Sequence, residues 1–299
     1  MALALAERLR CHLISVDSAQ VYRGLDIGTA KPDAALRARH PHALIDIRDP
    51  GENYSAADFR RDALAEMEKA IATGRLPLLV GGTGLYFRAL ERGLSRLPPA
   101  DPALRRALAE ELARLGPEPM HARLRALRPE VAARIAPGDR QRILRALELI
   151  ALGHEVPVGR AWLGGADRPP FRLLRLALLP SSREELHRRI EERLRHMFRL
   201  GFVEEVEALR ARGDLHLGLP ALRAVGYRQI WEGLERGASR SEMFERALFA
   251  TRQLAKRQIT WLRGEPAYRI LPPACESFLA AIRLFLTQAQ WARLSSEEG

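Results

Sequence analysis

Apolar positions along the chain fall into two rhythms. Short apolar runs at 13–16, 42–47, 76–80 and 172–179 read as buried strands. Longer stretches with apolar residues three or four apart read as helices over 2–10, 55–73, 183–200, 203–212 and 241–263, with another starting at 85. The helix over 2–10 has no capping residue and no strand before it, so it reads as a helix whose beginning is missing. Ser55 caps the next one and Gly74 ends it. Strand, helix and strand in this succession predict a parallel sheet with crossover helices. The expected fold class is therefore α/β.

Past Pro98-Pro99-Ala100-Asp101-Pro102 the rhythm changes, and 103–153 reads as short helices punctuated by Pro129 and Pro137-Gly138. A Gly- and Pro-rich loop over 153–170 leads back to the strand-like run. The expected organisation is an α/β core with RNA-binding helices over 1–99 and 171–270, a mostly helical insertion over 100–170, and a peripheral helical tail over 271–299.

Charge sharpens this picture. Lys and Arg number 48 against 37 Asp and Glu, a net +11, and a chain this basic suits a polyanionic partner, nucleic acid first. Nearly all the cations are arginine; the only lysines are Lys31, Lys69 and Lys256. Cys11 and Cys275 have no spacing for a zinc site or a disulfide framework, which fits a reducing cytoplasm. The apolar runs fall far short of the roughly 20 residues a membrane helix needs. No signal peptide is apparent at the N-terminus.

The candidate chemistry starts at the end of the first strand, in LISVDSAQVYRGLDIGTAKP over 13–32. Ligands of open α/β sheets sit beyond the carboxyl ends of strands, which is where Asp17 falls. A strand-end acid that only caps the next turn is the simpler alternative. The turn Gly81-Gly82-Thr83-Gly84 joins a strand to a helix; its backbone and the Thr83 hydroxyl suit phosphate. Gln141 to Glu148 carries Arg142 and Arg145 three apart, placed for phosphate or for an ion pair with Glu148. Arg223 to Gln229 sets Tyr227 between arginines, and Lys256 to Arg263 sets Trp261 among cations. Both mixtures suit unstacked RNA bases, although a lone Trp is more often core. The charged helix around His187 to Arg193 reads by default as a surface ion-pair network.

Six segments in order resemble the tRNA dimethylallyltransferase (tRNA isopentenyltransferase) family: DSAQVYRGLDIGTAKP from Asp17, LLVGGTGLYFRAL from Leu78, ADPALR from Ala100, QRILRALE from Gln141, VGYRQIW from Val225 and KRQITWLR from Lys256. The resemblance spans nearly the whole chain. It implies a P-loop NTPase-like core with a helical insertion. It also implies transfer of a dimethylallyl group from its diphosphate to N6 of the adenosine 3′ of the anticodon, with Mg²⁺ assisting diphosphate departure. Asp17 then becomes the base that orients N6 and takes its proton, and Thr83 a second catalytic residue. Thr83 and Arg193 would face the diphosphate.

On the same resemblance, Asp17, Ser18, Ala19, Gln20, Thr83 and Arg105 contact tRNA, as do Gln141, Arg142, Ile143, Leu144 and Arg145. Arg223, Gly226, Tyr227 and Arg228, then Lys256, Arg257, Gln258, Trp261 and Arg263, form the later tRNA surface. The implied partners are a tRNA anticodon stem-loop and dimethylallyl diphosphate, with a cytoplasmic monomer expected, no membrane and no metal held by protein ligands alone. The family pattern begins with a strand and a GxxxxGK[ST] loop. This sequence has no such loop and no Gly-Lys pair. The expectation is a start assigned too late or a truncation. Two other readings remain at this point: a tRNA-binding protein without catalysis, and a nucleotide kinase of the same broad fold.

Overall fold

A computed structural model describes residues 2–95, 97–98, 101–157, 169, 171 and 173–271. The chain divides into two compact units, Met1–Leu90 with Pro170–Gly299, and Glu91–Pro169. The tail expected over 271–299 lies outside the described residues, apart from Leu271.

The larger unit is built on a parallel sheet. After a short helix α1 (Ala2–Ala6), the central strand β1 (Cys11–Val16) is flanked by β2 (His42–Ala43) and β3 (Leu76–Gly81), both parallel to it. Helix α2 (Ala34–Arg39) precedes β2, and α3 (Ala56–Ala72) makes the crossover to β3. The start of α3 is fixed by a reciprocal cap. Ser55 Oγ accepts from the Asp58 N–H at 3.2 Å, and the Asp58 carboxylate accepts from the Ser55 N–H at 3.0 Å. Phe59, Ala63, Met67 and Ala70 make its buried stripe.

From β3 the chain passes into α4 (Gly84–Arg92). On return from the smaller unit, strand β4 (Leu176–Leu178) pairs in parallel with β5 (Arg269–Leu271). Between them lie α9 (Arg183–Arg199), α10 (Phe202–Ala211), a 3₁₀ turn (Ala221–Arg223), α11 (Tyr227–Glu235) and the long α12 (Arg240–Arg263). One core joins this helical layer to the sheet, with Ile14, Val16, Tyr22 and Phe59 meeting Phe202, Val206, Tyr227 and Ile230.

The smaller unit contains α5 (Pro102–Leu115), α6 (Pro117–Leu127), α7 (Pro129–Ala132) and α8 (Arg140–Ala151). Asp101 and Asp139 cap α5 and α8. Leu108, Leu112, Met120, Leu124, Ile143 and Leu149 form a core of its own.

Four elements differ from the sequence pattern. The first helix stops at Ala6, because Leu5 and Leu9 must turn inward against Leu76, Leu78, Leu176 and Leu271 before the chain enters β1. The apolar run 42–47 gives only a two-residue strand. Leu44 and Asp46 take positive φ (63° and 57°) so that the Asp46 and Ile47 amides can reach the Gln20 and Val21 carbonyls. Strand β3 is only half-buried, with Val80 38% exposed, because among the described residues it pairs with β1 alone. The run 172–179 contributes just the three residues of β4. No helix among the described residues is long and apolar enough to cross a membrane.

Ser55→Ala removes one side of the α3 cap. It is expected to cost about 1 kcal/mol in urea denaturation; an unchanged midpoint would show that the cap is idle.

Candidate active site

The register of β1 against β3 makes the site. Val16 lies opposite Gly81, and a Cβ on Gly81 would sit 2.1 Å from the Val16 carbonyl oxygen, so only glycine fits. Two residues on, the Thr83 N–H donates to the same carbonyl at 3.2 Å. That contact carries the Gly-rich turn across the end of β1. The Thr83 hydroxyl accepts from the Ser18 N–H at 3.1 Å and lies 3.4 Å from Ser18 Oγ.

Asp17 is the first residue past β1. Its Oδ1 accepts from the N–H groups of Ala19 (2.8 Å) and Gln20 (3.2 Å), a local turn that fixes the carboxylate. Among the described residues Oδ2 has no hydrogen-bond partner. The turn-capping alternative is what Oδ1 does, and it leaves Oδ2 unused. The Gln20 amide is pinned at both ends: Nε2 donates to the Thr29 carbonyl at 3.1 Å, and Ser15 Oγ donates to Oε1 at 3.3 Å.

The loop 26–31 lies beside this turn and is held by charge. Lys31 is almost wholly buried, its side chain 1% exposed, and donates at 2.5 Å to both Asp26 and Asp46 and at 2.8 Å to the Tyr22 carbonyl. Burial alone would raise the Asp46 pKa, but hydrogen bonds from Lys31 and Arg37 outweigh it and hold the carboxyl below its usual value. From α10, Glu205 accepts three backbone N–H groups of the loop: Asp26 at 3.0 Å, Ile27 at 2.7 Å and Gly28 at 3.1 Å. Arg193, on α9, reaches the Thr29 carbonyl at 3.5 Å. Desolvation by the surrounding protein lowers the Arg193 pKa, and the nearby Asp17 charge opposes that. Asp17, Ser18, Gln20, Thr83 and Arg193 are thus gathered round one corner of the larger unit.

The other expected contacts divide by burial. Tyr227 is fully buried, and its hydroxyl donates to Glu205. Burial first, then the Glu205 charge, drive its pKa far upward, so it keeps its proton. The expectation that this ring meets RNA is corrected: it is core. Gly226 is also buried; at φ 94° its added Cβ would stand 2.8 Å from the Phe202 ring. Arg223 and Arg228 are exposed, with Arg228 paired to Glu232.

On α12, Lys256, Arg257 and Arg263 are exposed, while Gln258 donates to the Gly82 carbonyl at 3.0 Å. Trp261 packs against Gly84, Phe87 and Tyr268 with the Arg88 guanidinium over its ring. It is a partly covered packing residue rather than a free stacking platform.

In the smaller unit, Gln141 and Arg142 are exposed at the start of α8 and Leu144 is half-buried. Ile143 is fully buried, so its side chain belongs to the core of this unit. Arg105 and Arg145 both bind the buried Glu148, at 3.0 Å and 2.8 Å, and Glu148 also accepts from the Asp101 N–H. Here the ion-pair alternative for Arg145 is what forms.

Sequence reasoning missed Glu205 and Asp46. Neither lies in an unusual local pattern; each matters only through a loop distant in sequence.

The family model described as IPP transferase matches residues 20–265. The chain belongs to the IPP transferase family. The protein named tRNA dimethylallyltransferase from Alkalilimnicola ehrlichii is 58% identical over 264 residues, covering 88% of this chain and 83% of its own. The protein of that name from Thioalkalivibrio sulfidiphilus is 55% identical over 276 residues, covering 91% and 85%. The crystal structure of the full-length tRNA isopentenylpyrophosphate transferase from Bacillus halodurans superposes with a TM-score of 0.67 at 33% identity, covering 95% of this chain and 89% of that one. With the parallel sheet and helical layers, this likeness supports the P-loop NTPase-like α/β fold class for the chain.

Lys31→Met leaves Asp26 and Asp46 without their buried cation and is expected to cost about 3 kcal/mol at neutral pH. The folded Asp46 pKa is depressed, so its contribution is present above the unfolded value and is lost as pH falls below about 3.8. The gap between parent and variant in urea denaturation should narrow there. A gap that is absent at pH 7, or that widens in acid, would contradict the assignment.

Proposed function

We propose that this chain transfers a dimethylallyl group from dimethylallyl diphosphate to N6 of the adenosine 3′ of the anticodon in tRNA. The observation that carries this reading is the Asp17 carboxylate in a chain of this family: one oxygen is fixed by two backbone amides, the other is unengaged.

An exocyclic adenine amine is a weak nucleophile. As the bond from N6 to the first carbon of the dimethylallyl group forms, the bond from that carbon to the diphosphate oxygen breaks and N6 must lose a proton. The free Asp17 oxygen accepts that proton, and Oδ1, held by Ala19 and Gln20, keeps it aimed. Negative charge grows on the departing diphosphate. The Thr83 and Ser18 hydroxyls and the Arg193 guanidinium are the groups of this corner that can meet it.

Among the described residues no three acidic, His or Cys side chains cluster to hold a metal. The hydroxyl oxygens of Ser18 and Thr83 suit a magnesium ion that arrives with the diphosphate and keeps most of its water. When bound, the ion would neutralise charge on the leaving group. The target base must leave the anticodon stack to reach Asp17. Exposed Arg223, Arg228, Lys256 and Arg257, with Gln141 and Arg142 on the insertion, supply cations and an amide for the tRNA backbone. We read the protein as a cytoplasmic monomer acting on the anticodon stem-loop.

Asp17→Ala tests the role of the base. Transfer of labelled dimethylallyl to an anticodon stem-loop should fall by about 10² to 10⁴, the span a positioned general base supplies. Stem-loop affinity should stay within about threefold, because phosphate contacts dominate it. An equal fall in affinity would show Asp17 to be a binding residue. Stem-loop binding without transfer by the parent chain would favour a tRNA-binding protein without catalysis.

A further inference from the structure

Glu205 stands out because of what it binds. Several acids on the surface of the helical layer pair with arginines, as Glu204 does with Arg240 and Glu191 with Arg195. Among the described residues Glu205 pairs with no cation. Both of its oxygens are filled by the loop: Oε2 by the N–H groups of Asp26 and Ile27, and Oε1 by that of Gly28, with the Tyr227 hydroxyl donating to Oε1 as well. Three successive amides converging on one carboxylate form the same kind of concave nest that proteins use to hold anions. Here the anion is a side chain of the protein itself.

The fit extends to the apolar contacts. Phe202 and Glu205 are three apart on α10 and share a face. A Cβ on Gly28 would stand 2.0 Å from the Phe202 ring and 2.6 Å from that of Tyr227. One helix face thus supplies both the floor under the loop and the charge that gathers its amides.

Beyond the nest the loop is closed on itself. The Thr29 hydroxyl donates to the Leu25 carbonyl at 2.7 Å, and the Lys31 N–H to the Asp26 carbonyl at 3.0 Å. The orientation imposed at 26–28 is therefore passed to the Thr29 carbonyl. That single oxygen accepts from both the Gln20 amide and the Arg193 guanidinium. Gln20 in turn follows the turn that fixes Asp17.

We propose that Glu205 is a positioning residue for the transfer reaction: by gathering the 26–28 amides it sets the Thr29 carbonyl that orients Gln20 and Arg193 beside Asp17. The proposal rests on the reaction proposed above. Glu205 never meets the substrate in this account, and its effect reaches the reacting atoms only through the loop.

Three variants test it: Glu205→Gln, Tyr227→Phe, and Glu204→Gln as a neighbouring control. In Glu205→Gln one oxygen becomes an NH₂ group that faces backbone N–H donors or the Tyr227 hydroxyl, whichever way the amide turns. Hydrogen exchange over 20–31 should become at least about tenfold faster, with α3 unchanged. The kcat for stem-loop prenylation should drop on the order of 10- to 100-fold, as small misplacements of reacting groups do. KM for the stem-loop should stay within about threefold, and the unchanged exchange in α3, with kcat taken per folded molecule, separates this from a general loss of folding. Tyr227→Phe, which keeps the carboxylate and all three amides, should fall between Glu205→Gln and the parent, and Glu204→Gln should match the parent.

Exchange and kcat in Glu205→Gln equal to those of Glu204→Gln would overturn the proposal. So would faster exchange with an unchanged kcat, since the loop would then be free to move without consequence. If the parent chain transfers nothing, the proposed reaction fails and the positioning role falls with it; the exchange result still shows, separately, whether Glu205 holds the loop.

Discussion

The pairing of Val16 with Gly81 across two parallel strands is the contact on which the rest of the site depends. A parallel pair ends with both chains leaving the sheet at the same edge, and here both leave as tight turns. Glycine at 81 lets the backbones close, Thr83 crosses to the Val16 carbonyl, and Ser18 binds the Thr83 hydroxyl. Asp17 is held between these turns by its own local hydrogen bonds. A one-residue slip of β3 would exchange the faces of every side chain on it and take Thr83 away from Ser18.

Around that corner the protein uses charge in two ways. Buried or partly buried ions are matched: Lys31 with Asp26 and Asp46, Arg105 and Arg145 with Glu148, Arg88 with Glu265. These fix loops and helix starts, and breaking one would strand a charge. Exposed pairs along α9, such as Arg188 with Glu192, add little to stability and dissolve in salt. The net +11 is therefore not all available to a partner. Arg223, Lys256, Arg257 and Arg263 lie exposed and outside such pairs among the described residues, and they are the cations best placed to draw in a polyanion.

Much of this was legible in the chain itself. The apolar runs located β1 and β3, the Ser55 cap located α3, and the break at Pro98-Pro99 marked a change to helices. Asp17 at a strand end and Thr83 in a Gly-rich turn were visible as residue types in telling places. Burial was not. Tyr227 and Trp261 sit among cations in sequence, but a helix turns successive residues to different sides, and both rings point into packing. Ile143 follows the same rule between exposed Arg142 and half-buried Leu144. The run at 42–47 looked like a strand because it is short and mostly apolar, whereas its backbone is bent to carry Asp46 to Lys31. Glu205 was illegible for a different reason: its partners are backbone amides about 180 residues earlier, which no side-chain pattern reveals.

The central claim is that the corner built on β1 and β3 places a base against one adenosine amine. The most direct measurement is nucleoside mapping by mass spectrometry of an anticodon stem-loop incubated with this chain, dimethylallyl diphosphate and Mg²⁺. The account predicts a single dimethylallyl group, on N6 of the adenosine 3′ of the anticodon. A modification at any other atom or nucleotide, or an unmodified stem-loop that remains bound, would contradict it.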